Sequence, residues 1–465
     1  MEKFSQMISQ LTGVIWGLPM MLLLLGGGIF LTFRLKFFQF RFLPHIIGQT
    51  FGKIFAKSNA PGSVTPFQAT TSALASTMGA ANIVGVPVAI ALGGPGAIFW
   101  MWVVALIGMA TKYSEVLLGI HYRQKNKEGE WVGGPMYYID KGLGWKKVAS
   151  FFAIALMIEI VASTMVQANS IATTVKGSFG VSPIVTGIVV MILVGLVTYG
   201  GIRTIGKVSE RLIPLMVVLY LVSALAVLFV NISEIPTAFA LIFKHALTPI
   251  SATGGFVGAG VAAAIRWGLA RGLYSNEAGM GTAPIAHSAA KNDHPAKQGF
   301  WGIFEVIVDT MIVCTITALV ILTSGAWTEI GPNEASTMVT TALEPIFGVS
   351  LSGTIISTTL FFFVITTVIV IVYYGEKQAE YLFGTRFSKV MRFVYIASIL
   401  IGAIGGLKFI WQFLDLMLAC VVVPNMIALL FLSKNVQAIT NDYFVKFRKA
   451  AKRNRTIQTL QANIF

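Results

Sequence analysis

Apolar runs of about 20 residues, the length that crosses a bilayer core as a helix, recur along the chain from near its start to about Leu432. They predict helices over 13 to 33, 66 to 91, 97 to 120, 149 to 172, 183 to 200, 210 to 230, 251 to 272, 300 to 323, 352 to 373, 390 to 405 and 409 to 432. An all-α integral membrane protein of about eleven transmembrane helices follows from that pattern. The first run is too long for a signal peptide and lacks a small-residue cleavage site before the basic stretch, so it reads as a retained helix.

Two of these helices are interrupted by small and hydroxylated residues. The second contains Ser76, Thr77, Met78, Gly79, Ala80, Ala81 and Asn82; the seventh contains Thr253, Gly254, Gly255, Phe256, Val257, Gly258, Ala259 and Gly260. The two stretches hold matching places in two blocks of five helices, and an odd number of helices per block gives the blocks opposite orientations. Paired interruptions in opposed repeats point to the binding site of a secondary transporter. Small residues in isolation would serve close helix packing equally well. The expected organisation is a leading helix with a basic linker over 1–63, one five-helix repeat over 64–232, a second over 233–433, and a basic tail over 434–465.

Composition agrees with a bilayer environment: 55% of residues are hydrophobic and 11% charged, and the mean hydropathy is +0.78, too apolar for an aqueous fold. The formal charge of +15 is explained by placement rather than by nucleic acid. With the N-terminus outside, nearly every Lys and Arg lies in an inner loop or the inner tail. Only Lys3, Lys176, Lys244 and Lys408 fall on the outer side, and the outer loop from Ser324 to Ser350 has no base at all. The expected placement is therefore the plasma membrane, with the N-terminus outside and the C-terminus cytoplasmic, and tail contact with anionic lipid remains open. Cys314 and Cys420 lie in apolar runs and read as packing residues, and the five histidines read as surface residues. Phosphate-cradling loops, zinc-protease motifs and nucleophile elbows are all missing, so no enzyme is expected.

The candidate chemistry sits at the interruptions. An unwound helix centre offers amide N–H groups to a carboxylate and carbonyls to a cation. Amides near Gly79, Ala80 and Ala81 are expected to face a substrate carboxylate. The Asn82 side-chain oxygen, with backbone oxygens nearby, is expected to coordinate a hard cation, although an interhelical hydrogen bond would also account for Asn82. Gln167, Asn169, Asp309, Thr310, Thr366, Thr367 and Asp415 also lie at helix depth. A charge there costs about 2.5 to 3.5 kcal/mol even on the mild insertion scale, so Asp309 and Asp415 are candidates for a coupling or a structural role. Glu159 and Glu305 fall in apolar runs with no role assigned.

The run Gly93 to Gly108, GGPGAIFWMWVVALIG, continuing through Met109 to Glu115, resembles the signature of the alanine or glycine:cation symporters. Gly133 to Tyr138, Met165 to Ser170, Ala270 to Gly279 and Tyr373 to Glu376 match the same family, so the resemblance spans about Leu11 to Leu432. It implies a leucine-transporter-like fold, with two inverted five-helix repeats behind one leading helix, and sodium-coupled symport of alanine, glycine or a similar amino acid. Carried over by motif, Thr77, Gly79, Ala80, Ala81, Gln167, Phe256 and Ile371 border the substrate. Ala75, Thr77, Met78 and Asn82 hold a first sodium, and Thr366 with Thr367 a second. The stretch Ala270 to Gly279 resembles the cytoplasmic end and loop of the seventh helix, with Arg271 and Glu277 as salt-bridge partners.

Two departures affect the substrate. The family usually has Thr-Gly-Asn where this chain has Ala80, Ala81 and Asn82, and often a tryptophan where this chain has Ile371. Losing that ring would enlarge the cavity and admit a larger neutral amino acid. The implied partners are an amino acid, sodium and the lipid bilayer, with no nucleic acid and no obligate protein partner. A channel or a membrane-embedded enzyme are the readings from other classes, and concentrative uptake separates them.

Overall fold

The computed structural model describes residues 11–56, 59–79, 81–248, 260–405 and 408–462, and those are helical apart from one two-stranded hairpin and connecting turns. Among the described residues eight helices are long and apolar enough to cross a membrane, and the bent second helix makes a ninth. The fifth, Pro183–Tyr199, is shorter, and the seventh is divided. The helix order thus follows the apolar pattern from the first, Leu11–Arg34, to the eleventh, Lys408–Phe431.

Helix boundaries have local causes. The second helix opens at Thr65 with a capping box: Gln68 N donates to Thr65 Oγ1 at 3.1 Å and Thr65 N to Gln68 Oε1 at 3.0 Å. The fourth helix, Lys146–Phe179, stops at Gly180 in the left-handed conformation. The ninth runs Met338–Phe383 and kinks at Gly348.

The third helix, Gly96–His121, packs against the seventh and eighth, while the fourth packs against the ninth, tenth and eleventh. Close approach depends on glycine. A Cβ at Gly402 on the tenth helix would sit 2.4 Å from the Met165 carbonyl oxygen of the fourth. One at Gly268 on the seventh would sit 2.3 Å from the Ala97 oxygen of the third. With no water to expel between helices in lipid, such backbone contact is what holds a membrane bundle together.

Several expectations are corrected. The loop from Ser324 to Ser350 contains the helices Ala326–Glu329 and Pro332–Thr337 and the start of the ninth helix, and Pro332–Thr337 packs on Val86–Gly93, the latter half of the second helix. The basic tail is a helix, Ser433–Ala462, and the first polar loop contains Phe38–Arg41 and Leu43–Thr50. Hydropathy misses these because they are amphipathic or polar rather than uniformly apolar.

One charged staple closes the end of the bundle where the third helix exits. Arg123 donates to the carbonyls of Ser288 at 2.9 Å, Ala290 at 2.6 Å and Pro61 at 2.9 Å, and lies 4.5 Å from the centre of the Trp131 ring. Burial lowers its pKa to about 10, so it stays charged at neutral pH.

Candidate functional site

The second helix runs Pro66–Thr77, turns extended at Met78, and resumes as a π-helical stretch, Ala81–Gly85, before Val86–Gly93, bent by 46° across the break. Pro87 withdraws a donor from the resumed ladder. Widened π turns of this kind commonly mark functional positions.

The break expected over 253–260 falls on residues that, Gly260 apart, lie outside those described, and the seventh helix has an opening within its described part. It is regular from Val261 to Asn276, opens over 277–282, and continues as Ala283–His287. Glu277 takes φ 52°, Gly279 φ 101° and Gly281 φ 78°, values that end a right-handed helix. The stretch read as the end and loop of this helix, Ala270 to Gly279, contains the end of Val261–Asn276 and the start of this opening. The glycine-rich segment 253–259, with Phe256, lies outside the described residues, as does Ala80, and Gly260 is the residue preceding the first half.

Buried charges of the third helix satisfy the backbone groups freed by this break. Lys112 Nζ donates to the Asn276 carbonyl at 3.0 Å, at the negative end of the first half. Glu115 Oε1 accepts from Gly281 N at 2.9 Å, just ahead of the positive end of the short second piece. Asn425 on the eleventh helix donates to Glu115 Oε1 at 2.6 Å and to the Gly279 carbonyl at 2.8 Å, and the Tyr138 hydroxyl donates to Asn425 Oδ1. Lys112 also lies 3.5 Å from Glu305 Oε2, and His287 bonds Glu305 Oε1. Non-helical backbone survives at membrane depth when protein groups replace water in this manner. Glu305 thereby acquires a partner, and His287, expected at the surface, is fully buried.

Three helices converge between the breaks. Asn82 Nδ2 donates to Asp309 Oδ1 at 2.7 Å, Ser275 Oγ to Asp309 Oδ2 at 2.5 Å and Thr310 Oγ1 to Asp309 Oδ2 at 2.8 Å. Cys314 Sγ lies 3.3 Å from both Asn82 Nδ2 and Ser275 Oγ. Asp309 belongs to a second π stretch, Ile307–Cys314, so the hydrogen-bonded Asn82 and Asp309 of the second and eighth helices both come from widened turns. Asn82 Oδ1 accepts from Gly79 N at 2.9 Å, so that amide is directed at Asn82 and not outward.

The ninth helix faces the same break. Thr367 Oγ1 donates to the Ala75 carbonyl at 2.8 Å, a Cβ at Gly79 would lie 3.6 Å from that hydroxyl, and the Ser76 and Tyr374 hydroxyls are 3.4 Å apart. Thr366 Oγ1 and Thr77 Oγ1 bond carbonyls of their own helices, Phe363 at 2.9 Å and Leu74 at 3.2 Å. Ile371 is buried one turn beyond Thr367 on the same helix.

Other sequence candidates have other surroundings. Gln167 is half-buried on the fourth helix. Asn169 donates to the carbonyls of Gly402 at 3.2 Å and Gly405 at 3.1 Å, a tie between the fourth and tenth helices. Asp415 is exposed, and its carbonyl accepts from Trp16 Nε1 of the first helix at 2.8 Å. Arg271 and Glu277 form no ion pair among the described residues; Arg271 lies 5.4 Å from the Trp267 ring centre and Glu277 accepts from Thr282 at 2.7 Å. Ser275, Lys112, Glu115, Asn425 and Cys314 escaped notice as site residues. The first three do lie inside the quoted motifs, and that was the available signal. A cavity of about 710 Å³ lies away from the breaks, where Lys377 pairs with Glu130 and Glu380, and Arg392 with Glu376.

Comparison with known proteins agrees with this architecture. The sequence profile described as the sodium:alanine symporter family matches residues 1–458. The uncharacterized transporter YflA of Bacillus subtilis is 50% identical over 96% of this chain and 94% of its own length. The sodium/alanine symporter AgcS of Methanococcus maripaludis is 40% identical over 97% of this chain and 99% of its own. Among solved structures, MhsT in complex with L-phenylalanine superposes with a TM-score of 0.56 at 14% identity, covering 79% of this chain and 88% of that one. At that identity the likeness is one of fold, and the fold is the leucine-transporter type.

Proposed function

The chain belongs to the sodium:alanine symporter family, as a multi-pass membrane transporter of amino acids, and from that premise we propose that it carries a small neutral amino acid inward, coupled to sodium, by alternating access. The observation that carries this reading is the break of the second helix packed beside the end of Val261–Asn276, with Asn82, Ser275 and Asp309 joined between them.

A first sodium would take the oxygens of Asn82, Asp309, Ser275 and Thr310, hard ligands suited to a hard cation. Asp309 supplies a negative charge that the bilayer would otherwise disfavour. Backbone oxygens of Ala75, Thr77 and Met78 complete the candidate ligands on the second helix. A second sodium would enter between Ala75 O and Thr367 Oγ1, with Thr366 as its neighbour, replacing the bond that now joins them. Ion binding would then hold the second helix against the ninth, and only ligands with such differential contacts shift a conformational equilibrium.

The amino acid would lie along the break of the second helix, its carboxylate toward the amides near Ala80 and Ala81, with the Gly79 amide engaged by Asn82. Gln167, Phe256 and Ile371 would border its side chain. Alanine and glycine fit this reading, and Ile371 in place of a larger ring admits a somewhat larger neutral amino acid. The Lys and Arg distribution supports an N-terminus outside and a C-terminus in the cytoplasm, in the plasma membrane.

The test is uptake of labelled alanine, glycine and larger neutral amino acids into proteoliposomes with an imposed sodium gradient. Accumulation above the external concentration that collapses when the gradient is dissipated is expected. Equilibration without accumulation would mean a channel, and chemical alteration of the amino acid would mean an enzyme.

A further inference from the structure

The first helix is followed directly by a partly apolar segment. The last residue of the helix is Arg34, and the chain then turns sharply through Lys36 and Phe37, both at φ 55°. Two successive non-glycine residues in the left-handed region are costly. The turn is fixed by Phe37 N donating to Thr32 O at 2.9 Å, and it leads into Phe38–Arg41, Leu43–Thr50 and Phe51–Lys53.

This segment has two apolar sides. Leu35, Phe38, Ile46 and Thr50 are buried against the protein. Phe38 lies 4.3 Å from Tyr113, Phe42 stacks on Phe444 of the tail helix at 4.2 Å, and His45 Nε2 lies 2.9 Å from the Tyr443 hydroxyl. The side toward the protein is therefore already occupied. On the other side Phe37, Phe40, Ile47, Phe51 and Phe55 follow at helical spacing and are between 40% and 95% exposed. The apolar stripe continues the exposed Phe30 and Phe33 of the first helix.

Arg34, Lys36, Arg41 and Lys53 accompany the stripe, and the chain carries no Asp or Glu between Glu2 and Glu115. Among the described residues none of these four bases enters an ion pair. An apolar stripe at helical spacing with bases beside it and no acids is the chemistry of a helix lying in an anionic membrane surface. A stripe this size facing water would be an aggregation hazard.

We propose that the segment from Lys36 to Phe55 is an interfacial anchor, its exposed Phe37, Phe40, Phe51 and Phe55 in the acyl boundary and its bases on anionic phospholipid headgroups of the leaflet where the first helix emerges. The anchor rests on the bilayer embedding of the chain alone and does not depend on the transported substrate. Through Phe42 and His45 it also ties the tail helix to that surface.

The test uses the full-length protein with Cys420→Ala, which leaves only buried Cys314 as native thiol. Spin labels are placed at Phe40→Cys, Ile47→Cys and, as an aqueous control, Lys127→Cys in the exposed hairpin loop. In phosphatidylglycerol vesicles the first two labels should be more accessible to oxygen than to a water-soluble nickel reagent, and the control the reverse. Boundary-lipid measurements should show about a twofold preference for spin-labelled phosphatidylglycerol over phosphatidylcholine that weakens at about 0.5 M salt. The preference should be lost with Lys36→Gln, Arg41→Gln and Lys53→Gln together, and reduced with Arg41→Gln alone. Nickel accessibility at Phe40 and Ile47 matching the control would overturn the proposal. So would dipolar coupling between labels on two copies, which would assign the stripe to self-association, or a lipid preference that survives loss of the bases.

Discussion

Asn82 and Asp309, 227 residues apart in the chain, meet at 2.7 Å in fully buried surroundings, each within a π-widened turn of its helix. The contact joins the broken second helix to the unbroken eighth and directs a carboxylate at the interruption.

Removing either side of this pair should disable coupling. Asn82→Ala is expected to abolish sodium-driven uptake while leaving expression and size-exclusion behaviour intact. Asp309→Asn removes a charge-assisted contact worth about 1.5 to 3 kcal/mol, so the sodium concentration for half-maximal uptake should rise about tenfold or more. Unchanged sodium dependence in both variants would remove the cation assignment.

The two threonines of the ninth helix should separate experimentally. Thr367 reaches across to Ala75, whereas Thr366 bonds its own helix. Thr367→Val keeps the shape and loses the hydroxyl, and should weaken apparent sodium affinity by about tenfold. Thr366→Val should change it less than about threefold, because back-bonding to the helix is a local interaction. Equal effects would argue for two equivalent ligands.

The cluster under the seventh-helix break should be a stability element. Lys112→Met leaves Glu305 buried with only His287 and leaves the Asn276 carbonyl without its ammonium. Breaking a buried pair in this way costs about 3 to 5 kcal/mol. Thermal unfolding in detergent should show a large loss for Lys112→Met and partial recovery when Glu305→Gln is added. A double variant no better than the single would show that the pair is not coupled.

His294 caps the eighth helix, its Nδ1 accepting from Ala296 N at 3.2 Å while Nε2 lies 3.2 Å from Asp442 Oδ2. Burial holds its pKa below the ordinary value, because the folded chain favours the neutral ring that can accept. The stabilisation is therefore complete above the unfolded value of about 6.5 and is lost as pH falls through the lowered folded value. Melting temperature should drop on acidification, and His294→Asn, which keeps a capping acceptor, should flatten that drop. An identical acid profile in the variant would assign the loss to other groups.

The seventh helix shows most clearly what sequence reading can and cannot do. Its glycines at 254, 255 and 258 lie outside the described residues, and a further opening that the glycines did not signal is at 277–282, where one non-glycine and two glycines take positive φ. Composition reports where a helix is weak. Whether it opens depends on which partners are available, and here they come from Lys112, Glu115 and Asn425 on other helices.

The order of the apolar helices, their membrane setting and the interruption beside Asn82 were written in the sequence, because bilayer thickness imposes a length on apolar runs and a break needs small residues. The meeting of Asn82, Ser275 and Asp309, the burial of His287 and the opening at 277–282 were decided by tertiary packing. Those contacts join residues far apart in the chain, and a polar group at membrane depth takes whichever partner the bundle brings within reach.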